Sequence, residues 1–187
     1  MSRTVLAAAV LAALVSMSAE KVPNAGIVYG QDHSFIISAP KGWVLDNQSG
    51  QSDGLQAVFY REGQTWSGAS AVLYANVALK SDEATSTLEK TIAFDVARFK
   101  EKNPTLSVKD GPRLKTQEGH IPVVKDFGGD RFGNFERIAY LDESKVVVFL
   151  VLSARTKKEF EASLKAFAEL VATYNFLGDQ VKLPPGP

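Results

Sequence analysis

The chain has 187 residues, no cysteine, 45% hydrophobic residues, and 21 Lys and Arg against 21 Asp and Glu. That length suits one domain with a proper core and leaves little room for two. Zero net charge, with no run of Lys and Arg longer than two, argues against a nucleic-acid binder. The missing cysteines exclude disulfides, thiolate metal sites and a lipid anchor attached at a cleavage-point cysteine.

The N-terminus carries the clearest address. Arg3 precedes an apolar run from Val5 to Val15, and small residues follow at Ser16, Ser18 and Ala19. This three-part pattern predicts a secretory signal peptide over residues 1–18, cleaved after Ser18. The run is shorter than the roughly 20 residues a spanning helix needs, and no second long apolar stretch follows. The expectation is a periplasmic or secreted soluble protein with no stable membrane anchor after cleavage. Residues 19–33, with Pro23, Gly26 and Gly30, read as a lead-in segment.

In "SFIISAPKGW" a strand over Phe35-Ile36-Ile37 stops at Pro40, turns over Lys41-Gly42 and resumes at Trp43. Trp43 is expected to be a buried corner residue. Asp46–Gly54 is a loop by composition. "LQAVFYR" and "SAVLYANVALK" are strands joined by "EGQTWSG". Leu88, Ile92, Val96 and Phe99 mark one face of a helix, with Ser86 and Glu89 as a capping box and Asn103-Pro104 as its stop. "LSVKD", "PRLKTQ", "IPVVKDF", "NFERIAYLD" and "KVVVFLVLSA" follow as strands, the last a central one because it is continuously apolar. Thr156 and Glu159 cap a closing helix whose stripe is Phe160, Leu164, Phe167, Val171 and Tyr174. Residues 179–187 are a Pro-rich tail. Short connections favour antiparallel pairing. The predicted fold is α+β: an antiparallel β-sheet flanked by two main helices, an α/β/α sandwich over residues 34–178.

The opening hairpin "SFIISAPKGWVL", with the hairpin, closing helix and terminal aromatic of "NFERIAYLDESKVVVFLVLSARTKKEFEASLKAFAELVATYNF", resembles the PsbP-like and DcrB-like families. Those families include photosystem subunits, bacterial envelope proteins and a eukaryotic Ran-binding relative. The resemblance implies a sandwich that works by binding rather than catalysis, with a protein of the cell envelope as its partner. It carries over no functional residue.

The residues offer little catalytic chemistry. His33 and His120 read as solvent-facing turn residues, without the spacing of a metal site. A hydrolase reading would need Ser67 with His120 and Asp126 or Asp130, but the G-x-S-x-G elbow is absent. "FGGDRFG" is neither a dinucleotide fingerprint nor a P-loop, and reads as a hairpin turn. Asp46 and Asp53 lack calcium-loop spacing. No catalytic residue, metal or cofactor is assigned. The candidate binding residues are Trp66 and Phe132, aromatic side chains on glycine-flanked loops, with Arg61, Asp130 and Arg131 as a charged rim. That surface requires both loops at one end of the sheet. A further alternative is a carrier of a small apolar ligand held between sheet and helix.

Overall fold

A computed structural model describes residues 24–130 and 132–180. The predicted leader, most of the Pro-rich tail and Arg131 lie outside the described residues. Among the described residues, ten strands form two antiparallel sheets, with two long helices beside them. The strands are β1 (Ala25–Gly30), β2 (His33–Ser38), β3 (Trp43–Asp46), β4 (Ala57–Arg61) and β5 (Ala71–Leu79), then helix α1 (Leu88–Lys102). After it come β6 (Ser107–Asp110), β7 (Val123–Gly128), β8 (Phe135–Asp142) and β9 (Val146–Ala154), helix α2 (Lys157–Thr173), and β10 (Asn175–Gly178). The larger sheet has the order β3-β4-β5-β9-β8-β7-β6, and the smaller β1-β2-β10. The α+β fold and the central place of β9 are as the sequence predicts.

Several features differ from the sequence expectation, the short strand β10 among them. The supposed lead-in contains β1, which pairs along its whole length with β2. "PRLKTQ" forms no strand; it lies in the loop between β6 and β7. The cap of α1 is Thr87, whose Oγ1 accepts from the Lys90 amide at 3.2 Å, one residue beyond the Ser86 of the expected box.

The opening corner is a fold device. The Trp43 amide donates to the Pro40 carbonyl at 3.0 Å and Gly42 has φ 77°. This is a type II turn, whose third position requires the positive φ that glycine adopts without strain. Trp43 is 4% exposed and sits in the main core.

Strand alternation sends residues to two unequal faces of the larger sheet. Leu73, Ala75, Ala139, Leu141, Val148, Leu150 and Leu152 face α2. There Phe167, Leu170 and Val171, with Phe35 and Ile37 of the smaller sheet, complete the main core. Ile138, Tyr140, Val147 and Val151 face α1 in a smaller cluster. The buried residues of α2 are Ser163, Phe167, Leu170 and Val171, while those of α1 are Thr91 and Asp95. The α1 face is thus the more polar one.

Candidate functional site

The sheet register decides which loops meet. Ala71, at the start of β5, lies opposite Ala154 at the end of β9, which in turn lies opposite Phe135 at the start of β8. The β4–β5 loop holding Trp66 and the β7–β8 loop holding Phe132 therefore share one end of the sheet. Beside that end, under the C-terminal half of α1, is a cleft of about 400 Å³ lined by Tyr74, Arg98, Phe99, Lys102, Asp130, Phe132 and Glu136.

The predicted aromatics have different duties here. Phe132 is 71% exposed on the cleft wall. Trp66 does not line the cleft. It is half-buried, donates from Nε1 to Asp53 Oδ2 at 2.9 Å, and meets Tyr74 edge-on with centroids 6.2 Å apart. It braces the Tyr74 wall from behind.

Asp130 and Arg61 are not the free charged rim the sequence suggested. Asp130 Oδ1 accepts from the amides of Phe132 and Asn134, both at 2.7 Å, and Oδ2 from Asn134 Nδ2 at 3.1 Å. The carboxylate replaces the ladder partners the loop amides have lost. The Asn103 side-chain amide, just past α1, donates to the Gly129 carbonyl. Phe132 is thus displayed on a loop stapled to itself and to α1. Arg61 lies on the α2 face, its guanidinium 5.3 Å above the Trp43 ring and bonded to Ala162 O and Ser163 Oγ.

The cleft's chemistry rests on residues that the sequence reading did not single out. Glu136, 5% exposed, alternates with Ile138 and Tyr140 toward α1. The Ser153 hydroxyl, its cross-strand neighbour, bonds to its carboxyl, but Oε2 has no partner. Burial pushes Glu136 up from its ordinary 4.5 to about 7, and the neighbouring Asp130 and Asp95 act in the same direction. Asp95, 8% exposed, is also raised by burial, against the opposing pull of Arg98 and the Tyr140 hydroxyl. Arg98 pairs with Asp95 at 3.0 Å and lies 5.4 Å over the Phe99 ring. Burial lifts the Tyr74 phenol far above its usual range, keeping it neutral.

The alternative sites disperse. Ser67 sits in the β4–β5 loop, where its carbonyl accepts from Arg155 Nη2 at 2.9 Å. His120 lies 3.7 Å from Glu143, in the β8–β9 hairpin, beyond the Leu79–Val146 pair at the opposite end of the sheet. Eight strand steps separate the two ends, roughly 27 Å, so Ser67 and His120 cannot form one catalytic unit. Asp126 forms a two-pronged ion pair with Arg137, at 2.6 and 2.7 Å. His33 is not a solvent-facing turn residue; it opens β2, buried, with Nδ1 2.9 Å from the Gln31 carbonyl. Asp46 accepts from Ser49, Gln48 and Tyr60, and these bonds hold its carboxyl well below the usual range. Its oxygens, like that of Asp53, are spent on the loop. The charged lining of the α1 cleft does not suit a purely apolar cargo.

No family model matches the chain, and no curated protein does. Among solved structures it is similar to cyanobacterial PsbP (CyanoP) from Synechocystis sp. PCC 6803, at 12% identity, covering 87% of this chain and 98% of that one, with a TM-score of 0.50. The Ran-binding protein Mog1p of Saccharomyces cerevisiae aligns at 13% identity over 81% and 93% of the two chains, with a TM-score of 0.45. The fold is PsbP-like. No helix among the described residues is long and apolar enough to cross a membrane.

Proposed function

We propose that this chain is an exported, non-catalytic accessory protein of the cell envelope that grips a protein partner at the α1 cleft. The observation that carries the reading is the display of Phe132. A large apolar ring is 71% exposed on a loop fixed by three bonds to Asp130, at the mouth of a cleft with a polar floor. An aromatic anchor on a rigid mount loses little entropy on binding, and this is how small interfaces concentrate their energy. The leader pattern supports export, and the PsbP-like fold with its DcrB-like opening hairpin supports an envelope role. The dispersal of Ser67, His120, Asp126 and Asp130 supports a binding role over a hydrolytic one.

A photo-crosslinking residue placed at Phe132 in cells tests this, with the same residue at Lys165, an exposed site on α2, as control. A discrete periplasmic adduct at 132 and none at 165 is the expected result. No adduct at 132, or the same set of adducts at both positions, refutes the reading.

A further inference from the structure

Glu136, in the lining of the α1 cleft, is short of one hydrogen-bond donor. Its Oε2 is buried and unpartnered; a buried acceptor left unpaired costs free energy that a ligand donor recovers. The groups facing Glu136 do not supply that donor. From α1, Asp95 and Arg98 are engaged with each other at 3.0 Å, and Lys102 reaches Glu101 at 3.8 Å on the surface. From the β7–β8 loop, Asp130 adds negative charge, and from β5 Tyr74 adds a neutral phenol. From β9, Ser153 serves one carboxyl oxygen only. The walls include the rings of Tyr74, Phe99 and Phe132, apolar surface on which an alkyl stem can pack; Arg98 already lies over Phe99.

We propose that the cleft receives one primary ammonium group on an alkyl chain, with Glu136 Oε2 as its counter-ion and the three rings around its stem. An ammonium fits better than a guanidinium. A single oxygen is open, whereas arginine recognition favours both carboxylate oxygens at once and lysine acts as a point charge. This rests on the reading of the cleft as the partner surface. There the ammonium is a lysine of the partner; the other source of the same chemistry is a free alkyl diamine.

Binding selects the ionised carboxyl, so the occupied site holds Glu136 deprotonated and releases its proton to the buffer. With the free carboxyl near 7, affinity should rise about tenfold between pH 6 and pH 8. The test titrates the intact protein with Nα-acetyl-lysine methylamide, 1,5-diaminopentane and hexanoate, following the Glu136 carboxyl and the Phe99 and Phe132 rings by NMR. Both amines are expected to move these signals and to lower the Glu136 midpoint, and hexanoate to do neither. Glu136→Gln should weaken both amines by at least about tenfold. Phe132→Ala, at an exposed position, provides a second variant that should bind them more weakly. No amine response, unchanged affinity in Glu136→Gln, or tighter binding of hexanoate with proton uptake overturns the ammonium site. Tighter binding of the diamine than of the lysine derivative upholds the ammonium site but removes the support for a partner lysine. The crosslinking result at Phe132 stands or falls independently of these outcomes.

Discussion

Glu136→Gln should change stability by an amount that depends on pH. The folded protein holds the Glu136 carboxyl near 7, against 4.5 for an unperturbed glutamate. Below about pH 4.5 the group is protonated in both folded and unfolded chains, and no charge is buried. As pH rises from there to 7, the unfolded chain releases its proton first, so stability falls. Above 7 the loss is complete. At about 1.4 kcal/mol per pH unit of displacement, the buried carboxylate costs about 3 kcal/mol at pH 8. Glutamine carries no such charge. Its buried amide adds a fixed cost of about 1–3 kcal/mol if unpaired, but that cost does not vary with pH. The quantity to measure is the stability of the variant minus that of the parent, by urea denaturation from pH 5 to pH 8, because all other titrations cancel in it. It should rise by about 2.5 kcal/mol, or roughly 5–10 °C in melting temperature for a domain of this size. A difference that stays flat across that range would refute the assignment of a buried, charge-starved carboxyl to Glu136 and weaken the ammonium site with it.

Other outcomes follow from the same structure. Trp43→Ala removes a ring that is 4% exposed and lies under Arg61; it should cost about 3–5 kcal/mol in chemical denaturation, and an unchanged midpoint would place the ring in solvent. Asp130→Ala strands the Phe132 and Asn134 amides and should cost about 1–3 kcal/mol, whereas Phe132→Ala should stay within about 0.5 kcal/mol; equal losses would mean that the ring, not the carboxylate, holds the loop. Hydrogen exchange should open α1 more readily than α2, whose buried face is mostly apolar, and slower exchange in α1 would contradict the packing argument. Expressed with its leader in a bacterium, the chain should be recovered from the periplasm with a new N-terminus near residue 19, and intact Met1 on N-terminal sequencing would remove the export reading.

Local pattern carried most of the fold. Period-two alternation marks the first half of β5, and the stripe Phe160, Leu164, Phe167, Val171 marks α2, because these elements bury one face each. β1 was illegible because AGIVYG carries two glycines and its residues are largely exposed; only pairing with β2 makes it a strand. β10 has four residues directly after a helix, too few to show a period. For Arg61, nearness to a loop in sequence says nothing about which face of the sheet it takes. Its parity with Phe59 sends it toward α2. Glu136 did leave a trace: a charge at an inward position, in step with Ile138 and Tyr140. Whether such a charge is covered depends on α1, which packs across from 40 residues away, and no local pattern reports that.

The division of labour between the two faces follows from these placements. The α2 face joins both sheets through Phe35, Ile37, Phe167, Leu170, Val171 and Tyr174, and every inward residue of β9 on that face is fully covered. The polar side chains on that face, Ser163 and Tyr174, are already paired, with Arg61 and Glu143, so that face serves stability. The α1 face has a smaller cluster, and the inward positions Asp95 and Glu136 are ionisable. Two buried carboxyls beside one paired arginine lower stability at neutral pH, since their charged forms are short of solvation. A fold secured by its α2 face can tolerate that loss. Glu136, with its unpartnered oxygen, lies at the end of the sheet where the stapled loop displays Phe132, and a cation entering the cleft would offset its charge. Buried charge, an unpartnered acceptor and a displayed ring coincide at that one place, and this coincidence is the ground on which the α1 cleft is proposed as the working surface.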